Sequence, residues 1–147
     1  DHGEGETEDL ETCYRWFKGL LPELPVLFLG YSFGAWCCFR ALQSQLLADI
    51  YVAIGLPMQK YDFSALHSLN LPIGIVQGEH DEFGSPTEIR NFLGKKSSQR
   101  YIEEVPGCDH LFTGKNLDAA SQIGSLVEQL LEQHARGALH TPRSHTP

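Results

Sequence analysis

Four short strand-like segments, separated by stretches of helical character, constrain the fold of this chain most. They cover residues 26–29, 50–54, 72–77 and 100–105. The first two are continuous apolar runs, which are typical of strands buried on both faces of a parallel sheet. Strands that alternate with helices indicate βαβ units. We therefore predict an α/β fold in which about four parallel strands are flanked by helices.

The segments between the strands complete this prediction. Four of them have helical character, over residues 10–21, 33–47, 86–94 and 117–134. Residues 1–9 are acidic and predict a turn-rich lead-in, and residues 57–70 predict a connection of weak helical character. Residues 137–147 repeat His-Thr-Pro and predict a disordered tail. The chain is therefore expected to form one domain over residues 1–136, followed by that tail.

The first strand leads directly into a serine flanked by glycines in the pattern G-x-S-x-G. The motif is Gly30-Tyr31-Ser32-Phe33-Gly34. Such a turn from strand to helix exposes the serine hydroxyl at the carboxyl end of the strand, beside a helix N-terminus that favours negative charge. We expect side chains at positions 30 and 34 to clash in so sharp a turn. The motif predicts a nucleophilic Ser32; the alternative interpretation is a glycine-rich turn without chemical function.

An acid and a histidine follow the third and fourth strands. Asp81 lies at the edge of the sheet where ligands bind in open α/β folds, and His110 follows the next strand. Either one alone also fits a solvated loop residue. Glu79 and Glu82 are alternatives to Asp81, whereas Asp109 is a poor partner for His110 because sequence neighbours rarely face each other. The order serine, acid, histidine, each after a strand, predicts that the three form a catalytic triad.

Charge and composition exclude several classes of partner. The net charge is −8 at pH 7, and an acidic surface repels phosphate backbones, so we expect no nucleic-acid partner. No stretch approaches the roughly 20 apolar residues that span a bilayer, so we expect no membrane partner. The four cysteines form no C-x-x-C pair and predict buried free thiols in a reducing, cytoplasmic compartment; they are Cys13, Cys37, Cys38 and Cys108.

The sequence predicts neither a metal nor an organic cofactor. His80, Asp81, Asp109 and His110 lie in two separate loops without the helical spacing of metal ligands. The glycine-rich stretches lack the lysine and hydroxyl residues of a phosphate-binding loop. We therefore expect a reaction that side chains and backbone groups carry alone.

Three motifs together resemble those of small α/β-hydrolases related to dienelactone hydrolases and prolyl-oligopeptidase-like esterases. The motifs are Gly30-Tyr31-Ser32-Phe33-Gly34-Ala35, Gly78-Glu79-His80-Asp81-Glu82 and Gly107-Cys108-Asp109-His110-Leu111-Phe112. The resemblance covers residues 1 to about 135. The chain resembles in particular a bacterial group with a G-[FY]-S-F-G elbow and a G-A-D-H-F-F histidine loop. It differs from that group by Cys108 in place of alanine and Leu111 in place of phenylalanine.

This resemblance implies a three-layer α/β-hydrolase sandwich and a serine hydrolase that cleaves an ester or similar acyl bond of a small molecule. Ser32 would be the nucleophile, His110 the general base and Asp81 the group that orients the histidine. The backbone N–H of Phe33 would be one oxyanion donor. Dienelactone hydrolases proper have a cysteine at the position of Ser32, so their specific activity is not implied.

The family's fold has about four strands before the helix that precedes the elbow strand, and this chain has none. We therefore predict a partial fold whose N-terminal strands are missing, together with the loop that provides the second oxyanion donor. His2 and Gly3 precede that helix directly and do not correspond to the donor loop. The open edge of the first strand predicts self-association, and we expect weak or absent activity.

Two other functions stay open at this stage. A truncated or degenerate hydrolase would only bind, and a serine peptidase would use the same three residues. The connection over residues 55–71 is too short for a large lid, which favours an open site and small, soluble acyl substrates.

Overall fold

The computed structural model of this protein describes residues 3–44, 46–94 and 99–140, with side chains described up to residue 137. Strands and helices alternate along it: α1 Glu4–Leu20, β1 Leu27–Tyr31, α2 Phe33–Gln43, β2 Ile50–Ile54, a 3₁₀ turn Ser64–Ser68, β3 Ile73–Gly78, α3 Pro86–Leu93, β4 Arg100–Val105 and α4 Asn116–His140. This architecture confirms the predicted α/β fold.

The four strands form one parallel sheet in the order β1-β2-β3-β4. Alternate residues of β2 enter opposite cores: Tyr51 and Ala53 pack in the cluster that contains α2 and α3, whereas Val52 and Ile54 pack in the cluster that contains α4. The sheet is therefore the middle of three layers, and its central strands are buried on both faces, as their apolar composition requires.

Several element boundaries differ from the prediction. Residues 4–9 are helical rather than a turn-rich lead-in, because acidic residues at a helix N-terminus complement the helix dipole; Glu4 and Glu6 lie in the first turn of α1. β1 extends to Tyr31, since its last two residues still pair with β2. α2 ends at Gln43, before the predicted residue 47.

The last helix also differs from the prediction. It extends to His140 rather than ending near residue 134, so residues 137–140 are helical and do not belong to the predicted tail. Residues 141–147 lie outside the described residues, and the predicted disorder there stays a prediction.

β1 forms one edge of the described sheet, and Leu29 on that strand is 44% exposed.

Cys37, Cys38 and Cys108 are buried free thiols, but the prediction is wrong for Cys13, which is exposed on α1. Within the described chain, no helix is both long enough and apolar enough to cross a membrane.

Candidate active site

The G-x-S-x-G motif forms the turn between β1 and α2. Ser32 adopts φ 51° and ψ −115°, a strained conformation for a residue with a side chain. Its backbone N–H donates to the carbonyl oxygen of Ile54 at 2.8 Å, which holds the turn against the end of β2. The turn places Ser32 at the carboxyl edge of the sheet and at the N-terminus of α2.

The two glycines of the motif differ in their surroundings. A side-chain carbon at Gly30 would lie 2.3 Å from the carbonyl oxygen of Gly34 and 2.5 Å from the nitrogen of Ala35. Glycine at position 30 is therefore required by the close approach of β1 to α2. A side-chain carbon at Gly34 would meet nothing within 4 Å, so the expected clash at position 34 is wrong. The close contact involves the backbone of Gly34 and not the space beside it.

Three predicted side chains lie in one hydrogen-bonded chain. The Ser32 Oγ is 2.7 Å from His110 Nε2, and His110 Nδ1 is 2.8 Å from Asp81 Oδ2. An ionised carboxylate only accepts hydrogen bonds, so Nδ1 donates to Asp81. Nε2 is then left to accept from the Ser32 hydroxyl. The arrangement can therefore withdraw a proton from that hydroxyl.

Asp81 is only 4% exposed, and both of its carboxylate oxygens have partners. Oδ1 accepts from the backbone N–H of Phe83 at 2.8 Å, and Oδ2 accepts from Gln77 Nε2 at 2.7 Å as well as from His110. Burial raises the pKa of the Asp81 carboxyl above its ordinary value, and the hydrogen bond from His110 acts in the opposite direction.

The two alternative acids bind backbone groups instead of the imidazole. Glu79 accepts from the N–H of Gly107 at 2.7 Å, and Glu82 accepts from the N–H of His110 at 3.3 Å. Both carboxylates therefore stabilise the loop that carries the histidine, and only Asp81 reaches the imidazole ring.

Asp109 stabilises the same loop from within. It accepts from the backbone N–H groups of Leu111 at 3.1 Å and Thr113 at 2.9 Å. The hydrogen bond from Thr113 is the main reason that the pKa of Asp109 is lowered. Asp109 therefore shapes the turn after His110, in line with the expectation that it does not orient the ring.

Residues that the sequence did not single out for this purpose enclose the imidazole ring. Tyr31 stacks on His110 with ring centroids 5.6 Å apart, and its hydroxyl donates to the His110 carbonyl oxygen at 2.9 Å. Phe83 meets the ring edge-on at 4.7 Å. Gly55 lies beside the ring with φ 57°, and a side-chain carbon there would lie 3.1 Å from His110 Cε1. These contacts fix the plane of the imidazole.

Gln77 is a further residue that the sequence reasoning missed. It is fully buried on β3 and donates to Asp81. A signal was present, because Gln77 is the polar residue at the end of the otherwise apolar strand segment 72–77.

Phe33, the predicted oxyanion donor, is the first residue of α2. The N–H groups of the first helical turn have no acceptor within their helix, so the Phe33 N–H is suited to a negatively charged oxygen near Ser32. Gly3 is the N-cap of α1, and His2 lies outside the described residues. In the described part of the chain, no group of three or more His, Cys, Asp or Glu side chains could hold a metal ion.

One family and several known proteins are similar to this chain. The family described as alpha/beta hydrolase domain matches residues 5–138. The uncharacterized protein RP471 of Rickettsia prowazekii is 29% identical over 136 residues, which are 86% of this chain and 57% of that protein. The family match confirms the resemblance to α/β-hydrolases at the level of the superfamily. The closer likeness to dienelactone hydrolases stays a prediction.

Solved structures have the same fold. An α/β serine hydrolase homologue from Coxiella burnetii superposes with a TM-score of 0.73 at 26% identity, over 88% of this chain and 61% of that one. XC6422 from Xanthomonas campestris, a serine hydrolase without a lid, superposes with a TM-score of 0.74 at 27% identity, over 88% of this chain and 58% of that one. ATU1826 from Agrobacterium tumefaciens, a protein of unknown function, superposes with a TM-score of 0.76 at 27% identity, over 93% of this chain and 63% of that one. The chain therefore spans about three-fifths of the length of these proteins.

Proposed function

Because this chain belongs to the alpha/beta hydrolase domain family, we propose that it is a serine hydrolase that cleaves an ester or a similar acyl bond. Ser32 is the nucleophile, His110 the general base and Asp81 the acid that orients His110. The observation that carries the proposal is the continuous chain of hydrogen bonds from the Ser32 hydroxyl through the imidazole to the buried carboxylate.

The reaction proceeds through an acyl-enzyme. His110 Nε2 takes the proton of Ser32 as Oγ attacks the substrate carbonyl, and a tetrahedral oxyanion forms. The imidazolium then gives this proton to the leaving group as the carbon–oxygen bond breaks, which leaves the acyl group on Ser32. Water attacks the acyl group in the second half, with His110 as base again, and Ser32 is released.

Each charge that develops has a partner in the site. The buried carboxylate of Asp81 faces the imidazolium across 2.8 Å, which stabilises the positive charge that forms when His110 takes the proton. The Phe33 N–H and the N-terminal end of α2 stabilise the oxyanion. No step requires a metal or an organic cofactor.

Small, soluble acyl compounds are the substrate class that we propose. The connection between β2 and β3 contains only the 3₁₀ turn Ser64–Ser68, which is too little chain for a large lid. The Xanthomonas campestris hydrolase with the same fold also has no lid. A site without a lid does not form the covered apolar tunnel that long acyl chains need, so short acyl groups are favoured.

A non-catalytic protein is the second candidate, and one observation favours it. The chain spans only about three-fifths of the length of its relatives, and the oxyanion hole of this fold takes a second backbone donor from another loop. A site without that donor would lose on the order of 10²–10³ in kcat. This candidate predicts binding of acyl compounds without turnover.

Labelling with a fluorophosphonate separates the two candidates. The wild-type protein is expected to form one covalent adduct, on Ser32, and to hydrolyse p-nitrophenyl acetate. Ser32→Ala should lose both properties, whereas Ser68→Ala, at an exposed serine of the 3₁₀ turn, should keep both. A wild-type protein that is neither labelled nor active refutes the hydrolase, and an adduct that persists in Ser32→Ala refutes the assignment of the nucleophile.

A further inference from the structure

Gln77 is fully buried on β3, four residues before Asp81. Its amide nitrogen donates to Asp81 Oδ2 at 2.7 Å and to the carbonyl oxygen of Gly84 at 2.7 Å, and its amide oxygen accepts from the N–H of Leu56 at 2.7 Å. From this geometry we infer that Gln77 is a positioning residue that acts through Asp81. It orients the His110 ring and affects how tightly the Asp81–His110 pair binds its proton. This inference rests on the proposed hydrolase function.

The orientation of the Gln77 amide is determined by its neighbours. The backbone N–H of Leu56 can only donate, so the Gln77 atom that faces it at 2.7 Å is the amide oxygen. The carbonyl oxygen of Gly84 can only accept, so the atom that faces it is the amide nitrogen. The amide therefore cannot flip, and its N–H₂ group is directed at Asp81.

The amide completes the coordination of the buried carboxylate. Oδ1 of Asp81 accepts one hydrogen bond from the Phe83 backbone, while Oδ2 accepts from both Gln77 and His110. These donors prevent rotation of the carboxylate and hold Oδ2 in line with the imidazole. Because the amide is neutral, it compensates for the burial of the anion without competing with His110 as a positive charge.

Gln77 also contacts the loop after β2, which lies beside the imidazole. Its amide holds Leu56, whose neighbour Gly55 lies against the His110 ring. The loop after β2 and the acid after β3 are thereby connected through one buried side chain. Loss of the amide would remove this connection between the loop and the acid.

The amide hydrogens favour the negatively charged state of the Asp81–His110 pair. Their removal should make the pair bind its proton more tightly, so the acid limb of the rate profile should move to higher pH by about one unit. We expect kcat to fall by about 10- to 100-fold with KM nearly unchanged. The other titratable groups near the pair stay constant in this comparison; they are Tyr31, Glu82 and Asp109.

The test compares two variants of equal size, Gln77→Met and Gln77→Glu, with the wild type. Methionine fills the space without hydrogen bonds, and glutamate places a second carboxyl beside Asp81, which should move the acid limb further upward. The control is Tyr101→Phe, which removes a hydrogen bond to Gln133 between β4 and α4. It should lower stability without changing the pH profile.

Two readouts keep this inference separate from the proposed function. The NMR resonance of the His110 Nδ1 proton, which reports the hydrogen bond to Asp81, should change its chemical shift in both Gln77 variants even if no ester is turned over. The rate of p-nitrophenyl acetate hydrolysis then tests the hydrolase itself. A His110 Nδ1 proton resonance and a rate profile that match the wild type in Gln77→Met, or in Gln77→Glu if the first variant does not fold, would overturn the inference.

A double-mutant cycle adds the final criterion. If Gln77 acts through Asp81, Gln77→Met should cause little further loss of kcat in an Asp81→Asn background. An equal loss in both backgrounds would mean that Gln77 acts through Leu56 or through the sheet and not through Asp81, and the inference would be wrong.

Discussion

Gly30→Ala should damage this protein far more than the same change at Gly34. A methyl group at position 30 would lie 2.3 Å from the Gly34 carbonyl oxygen, 2.4 Å from the Gly34 carbonyl carbon and 2.5 Å from the Ala35 nitrogen. All three atoms belong to the backbone, so no side chain can rotate away. Non-bonded carbon contacts are optimal at about 3.5–4.0 Å, so the start of α2 must move away from β1 by about 1 Å.

Two magnitudes follow from this displacement. Overpacking of this kind costs about 1–3 kcal/mol in the free energy of unfolding, and occasionally more. A displacement of about 1 Å at the nucleophile costs on the order of 10²-fold in rate. Gly30→Ala should therefore be both less stable and labelled about 100-fold more slowly by a fluorophosphonate at Ser32.

Gly34→Ala is the matched control, because a side-chain carbon there meets nothing within 4 Å. Alanine in a helix is favoured over glycine by about 0.5–1 kcal/mol, so this variant should be as stable as the wild type or slightly more stable. Urea denaturation measures the stability of both variants, and the rate of labelling measures the nucleophile. Equal damage from the two substitutions would refute the argument from backbone contact.

Further expected outcomes concern the acid, the histidine loop and the sheet edge. Asp81→Asn should lower kcat severely, by an amount comparable with the roughly 10⁴-fold loss in serine proteases. Glu79→Gln and Glu82→Gln should have mild effects. A larger loss of kcat in either glutamate variant would refute the assignment of Asp81. Backbone hydrogen bonds lower the pKa of Asp109 in the folded protein. The stability that this carboxylate adds is therefore present at a pH above its pKa in the unfolded chain, which is about 3.9. It is lost as the pH falls through the lower pKa of the folded protein. The difference in urea midpoint between the wild type and Asp109→Ala should therefore vanish at acid pH, and a difference that does not depend on pH contradicts this account. Leu29 is exposed on the edge strand, so Leu29→Lys should reduce concentration-dependent association in light scattering; a wild type that is monomeric at every concentration would refute it.

The order of strands and helices could be predicted from local patterns. Apolar runs such as 50–54 carry the signature of a strand buried on both faces, and the observed β2 has the same limits. Boundaries were less accurate where capping and pairing decide them. The acidic composition of residues 1–9 predicts a turn-rich lead-in, whereas residues 4–9 form the first turns of α1.

The candidate site was only partly predictable from the sequence. The motifs around Ser32, Asp81 and His110 each follow a strand, and parallel strands bring their carboxyl ends to one edge, so their proximity follows from the fold class. The choice between Asp81 and its neighbour Glu79 depends on the direction in which each loop side chain points. That direction is set by contacts between segments far apart in sequence, which no local pattern contains.

The sequence by itself determined the alternation of elements, the serine turn and the loops that meet beside it, because these depend on neighbouring residues and their periodicity. Only the tertiary structure decided that Gly30 is sterically required and Gly34 is not, and that Gln77 supports the acid. Each of these properties depends on distances between segments that the chain brings together only when it folds: β1 against α2 at Gly30, and β3 against two loops at Gln77. Steric contact and hydrogen bonding act over a few ångströms in space, whatever the separation along the chain.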